Sequence, residues 1–90
     1  AIIFKDFKSR DFFNYYIDHG WISIQVFFVR QAALTKREVA MYPITEDAND
    51  EMLKYILQYY QHSNNTVPKE IYVPAGLDID FLSVELTRSF

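Results

Sequence analysis

Acidic side chains are the first candidates for chemistry in this chain, because carboxylate oxygens hold Mg²⁺ and a pair of such ions can activate water for hydrolysis. Asp11 and Asp18 stand at opposite ends of one aromatic stretch, and Asp47, Asp50 and Glu51 precede an apolar run. Two ions about 4 Å apart need carboxylates that converge on one point. Acids at the start of a predicted helix are explained by capping and by the helix dipole. We therefore expect no metal site and no catalytic residue.

The remaining reactive residue types give no stronger signal. His19 directly follows Asp18, so the two side chains would point apart on a strand, and the pair fits a turn better than a catalytic dyad. His62 falls at the predicted end of a helix, where a partly charged imidazole is favourable. The only glycines are Gly20 and Gly76, too few for a phosphate-binding loop, and there is no cysteine for a thiolate metal site. We expect no cofactor.

The first half of the chain predicts three strands. Trp21–Arg30 is an apolar run rich in β-branched and aromatic residues, which is typical of a strand in the middle of a sheet and covered on both faces. Residues 11–18 precede it across a turn at Gly20, which can adopt positive φ. Residues 35–42 follow it, and their charged side chains suit an edge strand. Short connections make these strands an antiparallel meander.

The second half predicts a helix, a short strand and a helix. Thr45 or Asp47 can cap a helix over residues 49–62, whose apolar positions recur every three or four residues. A strand at 71–73 follows, parallel to a meander strand, and then a helix over 78–90. The predicted fold is therefore α/β, a three-stranded antiparallel meander followed by α-β-α. This is the element order that opens a ribonuclease-H-like fold, and an ordinary α+β sandwich is the rival.

Length and composition fit one small domain. Ninety residues, half of them hydrophobic, can fold around a single core, and we assign residues 1–10 to a linker and residues 11–90 to the domain. No apolar run approaches the roughly 20 residues of a membrane helix, so we expect a cytoplasmic fragment of a longer protein without membrane contact. Net charge is +2 over residues 1–45 and −5 over residues 46–90. A polyanion would therefore meet the first half, although an ordinary mixed surface explains the same charges.

Several motifs carry a family resemblance because they occur in one fixed order. They are Asp18-His19-Gly20-Trp21, the string IQVFFVR ending at Arg30, Met41-Tyr42-Pro43, Gln58-Tyr59-Tyr60, and VPKEIYVP over residues 67–74. Over about residues 11 to 78, the chain resembles the segment of the UvrC family of bacterial nucleotide excision repair that precedes the C-terminal endonuclease domain. One departure concerns the second hairpin, where the family has a Gly and this chain has Ala32 and Ala33. Alanine resists positive φ, so we expect a longer or differently shaped turn there.

The resemblance implies a parent protein that belongs to the damage (SOS) response and works with UvrA and UvrB. It implies a 3′ cut by an N-terminal GIY-YIG nuclease domain and a 5′ cut by a C-terminal ribonuclease-H-like domain with two Asp and a His around metal. The motifs that hold those groups lie outside these ninety residues. No catalytic residue is therefore carried over, and a ribonuclease-H-like fold here would be a degenerate copy without an active site.

These observations predict a non-catalytic domain that positions the two nuclease modules on DNA or against partner proteins. The partners would be UvrA, UvrB and the adjacent nuclease domains of the same chain. The alternative is a protein-interaction module without DNA contact, and an independent nuclease is a third reading. Basic candidates for DNA contact are Arg30, Lys36 and Arg37 near the second hairpin, with Lys8 and Arg10 elsewhere. Candidates for base stacking are Tyr15, Tyr16, Trp21 and Tyr42, whose rings core packing also explains.

Overall fold

The computed structural model of the chain describes residues 6–62 and 65–89. It confirms the predicted order of three strands, a helix, a strand and a helix, with bounds that differ from the expected ones by at most two residues. The elements are β1 (Arg10–Asp18), β2 (Trp21–Arg30), β3 (Ala33–Pro43), α1 (Ala48–Gln61), β4 (Glu70–Tyr72) and α2 (Ile79–Ser89).

The four strands form one sheet in the order β3-β2-β1-β4. Strands β1, β2 and β3 pair antiparallel as a meander, and β4 pairs with β1 in parallel, as expected for a strand that returns after a helix. Two features of the prediction are confirmed, namely the α/β class and the interior position of β2 between β1 and β3. The strand β3 lies at the edge of this sheet, as its charged side chains indicated.

The core lies between one face of the sheet and the two helices. Alternate residues of β2, together with Phe13 of β1, point to this face because side chains on a strand alternate between its two sides. Three buried residues of α1, spaced every four positions, pack against them, and Leu82 of α2 completes the core. The buried β2 residues are Ile22, Ile24, Val26 and Phe28, and those of α1 are Met52, Ile56 and Tyr60.

The second face of β2 is only partly covered, so the expectation of cover on both faces is wrong there. Trp21 is 46% exposed, and its neighbours on β1 and β3, Tyr16, Val39 and Met41, are exposed as well. Ser23, which lies between Tyr16 and Met41 in the strand pairing, is buried by the larger side chains around it. The apolar run therefore reflected an interior strand with one buried face and a second face that is exposed at Trp21, half-buried at Gln25 and Phe27, and buried at Ser23 and Val29.

The first turn of α1 is fixed by capping. The side chain of Asp47 accepts hydrogen bonds from the backbone N–H groups of Asn49 (2.9 Å) and Asp50 (3.3 Å), which identifies Asp47 as the N-cap. Thr45, the other cap candidate, instead donates its hydroxyl to the Glu51 carboxylate at 3.3 Å. The acids at this position thus stabilise a helix start, as their location in the sequence indicated.

Both hairpins of the meander turn through two residues with positive φ. In the first, His19 (φ 50°) and Gly20 (φ 80°) connect the paired residues at the ends of β1 and β2, as the glycine predicted. In the second, Gln31 (φ 54°) and Ala32 (φ 66°) do the same, so the expectation of a longer turn is wrong. Ala32 is buried in this turn, and the pairing of β2 with β3 shifts register between Phe28 and Val29, close to the turn.

The segment before β1 is attached to β4. The Glu70 N–H donates to the carbonyl of Ser9 (3.1 Å), and the Lys69 N–H donates to the Ser9 hydroxyl (2.9 Å). Arg10, expected in the linker, is the first residue of β1 and is buried. Phe7 is exposed, and residues 1–5, including Phe4, lie outside the described part of the chain.

We expect Phe28→Ala to lower the free energy of unfolding by about 3–5 kcal/mol, because it removes a buried ring from the centre of the core. Phe7→Ala removes the same ring from a side chain that is 75% exposed and should change stability little. Urea unfolding of both variants measures the difference. Equal midpoints for the two variants would show that Phe28 does not support the core.

Candidate functional site

The predicted basic patch is divided by the sheet. We call the face of the sheet that packs against the helices the helix side. On this side Arg30 Cζ lies 6.0 Å and Lys36 Nζ lies 5.5 Å from the centroid of the Phe28 ring. Arg37 is the next residue of β3, so it points to the opposite face, where it pairs in register with Phe27. Arg10 and Lys8 lie at the far edge of the sheet beside β4. The five candidates therefore do not form one continuous surface.

Arg30 is held by groups inside the domain. Its Nη1 donates to the Asp11 carboxylate at 2.8 Å and to the backbone carbonyls of Arg10 (3.2 Å) and Val29 (2.9 Å). The side chain is 35% exposed, whereas that of Asp11 is fully buried. Moving Arg30 to a phosphate would leave a buried carboxylate without its cation, which is costly. Arg30 therefore serves to neutralise the buried Asp11 carboxylate and is not available to bind a phosphate.

Arg10 is likewise paired within the fold. Its guanidinium donates to the Asp6 carboxylate at 2.8 and 3.0 Å and to Glu70 at 2.9 Å. The Arg10 hydrogen bonds, followed by that of the Lys8 N–H, lower the pKa of Asp6 to about 2. Glu70 also has a lowered pKa, chiefly through the hydroxyl of Tyr72 and then through Lys8 and Arg10. The basic residues at this edge thus face carboxylates.

The carboxylate of Asp11 organises the interior. Its Oδ2 accepts a 2.5 Å hydrogen bond from the Tyr60 hydroxyl of α1, and its Oδ1 accepts the one from Arg30 of β2. Burial first, and this hydrogen bond second, raise the pKa of Tyr60. Asp11 was a metal candidate in the sequence, but both of its carboxylate oxygens accept hydrogen bonds from side chains of the domain. The only sequence pattern that pointed to Tyr60 was its place in the pair Tyr59-Tyr60 near the end of the predicted helix.

The other acids do not converge with Asp11. Asp18 lies at the opposite end of β1, where its carboxylate is 2.5 Å from His19 Nδ1 at the exposed first hairpin. Asp47 caps α1, as described above. Within residues 6–62 and 65–89, no group of three or more His, Asp or Glu side chains is arranged to hold a metal ion.

The four stacking candidates are split between the two faces. Tyr15 lies on the helix side, where its hydroxyl donates to Asn49 at 3.0 Å, and the ring of Tyr42 contacts Tyr55 on the same side at 6.3 Å. Tyr16 and Trp21 lie on the other side with Val39 and Met41, and these four exposed residues define what we call the open face. Arg37 lies beside it on β3.

A second surface lies on the helix side, between the edge strand β3 and α1. It is a groove of about 420 Å³, which we call the tyrosine groove. Three tyrosines line it, Tyr42 from β3 and Tyr55 and Tyr59 from α1, together with Glu38, Val39, Gln58, His62 and Asn65. Burial raises the pKa of Tyr59 to about 12 and also raises that of Tyr55, and in both cases the charge of Glu38 adds to the effect.

The sheet order β3-β2-β1-β4, with a meander, a parallel fourth strand and both helices joined to one core, defines a ribonuclease-H-like α/β domain. The family model described as the UvrC ribonuclease H-like domain matches residues 9–89. The chain therefore belongs to this family, and the resemblance drawn from its ordered motifs is confirmed.

Relatives in lactic acid bacteria carry the same segment. The chain is 53% identical over 77 residues to the UvrABC system protein C of Pediococcus pentosaceus, covering 86% of the chain and 13% of that protein. For the proteins of the same name from Lactiplantibacillus plantarum and Lactobacillus helveticus, identity is 52% over 82 residues and 49% over 88 residues, covering 91% and 96% of the chain. The chain spans only 13–15% of the length of these relatives. No solved structure matches it significantly.

In the described ranges, neither helix has the length and apolar character needed to cross a membrane.

We expect stability to fall as the pH rises from about 10 towards 12, because buried tyrosines stay protonated in the folded chain and ionise at about pH 10 in the unfolded one. The folded state binds more protons in this window, so each such tyrosine lowers the free energy of unfolding by about 1.4 kcal/mol per pH unit. Tyr60→Phe removes one of them. The stability difference between the wild type and this variant should therefore shrink as the pH rises above 10.

Tyr16→Phe is the matched control, since Tyr16 is exposed on the open face. Urea unfolding at several pH values between 8 and about 11.5 measures both variants against the wild type. A difference for Tyr60→Phe that stays constant with pH would contradict the role assigned to the buried hydroxyl.

Proposed function

We propose that this chain is a non-catalytic domain of a UvrC subunit and that its parent protein acts in bacterial nucleotide excision repair in the cytoplasm. The parent would work with UvrA and UvrB and cut DNA on the 3′ and 5′ sides of a lesion. Support comes from the family match over residues 9–89 and from relatives that are named UvrABC system protein C. In this proposal the cuts are made by modules outside these ninety residues.

The arrangement of the acids supports a non-catalytic role. Hydrolysis with two metal ions needs carboxylates with free oxygens around one point. Asp11 has both oxygens bound by Tyr60 and Arg30 inside the core, and Asp47 caps α1. A metal ion at Asp11 would have to displace two hydrogen bonds and enter a fully buried site.

The observation that carries the positioning role is the open face. Four apolar side chains, Tyr16, Trp21, Val39 and Met41, are exposed next to one another on three strands of a sheet whose other face is buried. Clusters of exposed apolar side chains mark interaction sites more often than scattered ones do. We propose that this face docks against protein, either a nuclease module of the same polypeptide or a subunit of the repair complex, and so holds the modules in place.

Direct DNA contact is the second candidate. Arg37 supports it, because this arginine is exposed on the same side of the sheet as the open face, close to Val39 on β3, and bases could stack on the exposed rings of that side. Arg10 and Arg30 argue against it, since carboxylates of the domain hold both guanidinium groups. The balance of charges therefore favours protein docking as the positioning mechanism.

We expect Tyr16→Ser combined with Met41→Ser, placed in the parent UvrC, to reduce incision of a damaged plasmid by UvrA, UvrB and UvrC. A loss of about fivefold or more corresponds to roughly 1 kcal/mol of lost contact. Because both side chains are exposed, the same changes in the ninety-residue chain should leave its melting temperature nearly unchanged.

Val84→Ser combined with Ile79→Ser is the matched control on α2, since Val84 is 57% exposed and Met41 is 58% exposed. Unchanged incision with the open-face variant would overturn the docking role. Equal losses of incision with both variants would show that the loss is not specific to the open face.

Fluorescence anisotropy of labelled single- and double-stranded DNA separates the two candidates. For protein docking we expect no binding by the ninety-residue chain at about 50 or 200 mM salt, a range over which phosphate contacts weaken strongly. Binding that falls steeply with salt and is lost in Arg37→Ala, but not in Arg88→Ala on α2, would establish the DNA candidate instead. Both arginines are exposed, so the control removes the same charge elsewhere.

A further inference from the structure

The tyrosine groove belongs to a longer row of aromatic rings. Tyr42 contacts Tyr55 at 6.3 Å between ring centroids, Tyr55 contacts Tyr59 at 6.4 Å, and Tyr59 contacts Phe28 at 5.7 Å. At the Phe28 end, two cations of the domain already lie over the ring, Lys36 at 5.5 Å and Arg30 at 6.0 Å. The ring faces of tyrosine attract cations in the same way. None of the residues that line the groove is a lysine or an arginine.

Glu38 adds a negative charge to this surface. It lies on the helix side of β3, opposite Val26 in the strand pairing, and its side chain remains 38% exposed. Glu38 lines the same groove as Tyr55 and Tyr59, and its charge adds to the raised pKa of both tyrosines. The Lys36 ammonium is 3.4 Å from the Glu38 carboxylate, but the lysine side chain is 61% exposed, and such surface pairs are weak enough to open for a competing cation.

The end of α1 acts in the same direction. Its last turn contains no basic residue, and its C-cap is His62, which together with Gln58 and Tyr59 lines the groove. The carbonyl groups at a helix C-terminus carry partial negative charge that favours a nearby cation. Three independent features, the tyrosine faces, the Glu38 carboxylate and the helix end, thus converge on one groove of about 420 Å³.

The strand beside the groove offers a place for a main chain. β3 pairs with β2 on one side, and in the described sheet it has no strand on the other. An extended segment that pairs with this outer edge would point every second side chain towards the helix side, one of them opposite Glu38. Opposite charges at such cross-strand positions attract. Arginine fits better than lysine, because its planar guanidinium both stacks on rings and matches a carboxylate.

We propose that the tyrosine groove is a docking site for an arginine side chain carried by an extended segment of a partner polypeptide, which pairs with the free edge of β3. The site lies on the opposite side of the sheet from the open face, so this inference does not rest on the proposed function. The domain would then contact protein on both of its sides.

A pair of peptides tests the site. The probe is a capped seven-residue peptide of alternating Thr and Val with one central arginine, and its control carries citrulline, which keeps the planar shape without the charge. Amide NMR spectra of the ¹⁵N-labelled ninety-residue chain follow both titrations at low salt. We expect shifts at β3 and at the end of α1, with the arginine peptide binding about 5- to 20-fold more tightly, the sum of an ion pair and a cation–π contact.

Glu38→Gln assigns the effect to the groove. This variant should bind the arginine peptide about 2- to 5-fold more weakly while binding the citrulline peptide as before, since only the ion pair is lost. Glu85→Gln on α2 is the matched control, because it removes the same charge from a side chain that pairs only with Arg88 among the contacts described. It should bind both peptides like the wild type.

Several outcomes would overturn the proposal. One is equal binding of the arginine and citrulline peptides, another is the absence of shifts at β3, and a third is an equal effect of Glu38→Gln and Glu85→Gln. Shifts of the groove amides with a thymidine oligonucleotide but not with the peptides would assign the site to nucleic acid. Shifts at β3 when the chain alone is concentrated would assign the edge to a second copy.

Discussion

The contact between Asp11, Tyr60 and Arg30 joins the three elements on which the rest of the domain depends. Asp11 belongs to β1, Arg30 ends β2, and Tyr60 lies in the last turn of α1. A carboxylate that is fully buried has to be paired and hydrogen-bonded, so its two oxygens fix the sheet relative to the helix. Once these positions are set, the apolar faces of β2 and α1 can pack only in one register. The same contact removes the acid that lay nearest to a catalytic role.

Internal pairing of this kind determines which charges remain for function. In a sequence, Arg10 and Arg30 look like surface charges that are available to a partner. In the structure, Asp6 and Glu70 bind the guanidinium of Arg10, and Asp11 binds that of Arg30. The cations that stay exposed are then separated by the alternation of β3. Lys36 faces the helices and Arg37 faces the open side, although the two are adjacent residues. A sequence cluster of positive charge thus becomes two separate surfaces.

Sequence patterns predicted what depends on local chemistry. Apolar runs, their period and the turn residues between them located each strand and helix to within two residues. Asp47 was one of two cap candidates before the helix, and the order of motifs identified the family. What the sequence could not show depends on contacts between distant residues. The tight turn at Gln31 and Ala32 contradicted the propensity of alanine, and the burial of Ala32 there depends on contacts that its local sequence does not show. The two partners of Asp11, Arg30 and Tyr60, are 19 and 49 positions away, so the local sequence around Asp11 does not show that they meet it.

The two candidate surfaces differ in the kind of partner that they favour. The open face exposes apolar side chains around a buried Ser23, with Arg37 beside it, and contact there would gain chiefly from burial of apolar area. The tyrosine groove combines a carboxylate, a helix end and ring faces, and contact there would gain from a single cation and would weaken with salt. Val39 borders both surfaces, whereas Glu38 and Tyr42 of β3 line only the groove and Met41 belongs only to the open face, so a change at one of these three positions affects one surface and leaves the other intact. The strand therefore allows the two kinds of contact to be separated by substitution, which a shared surface would not allow.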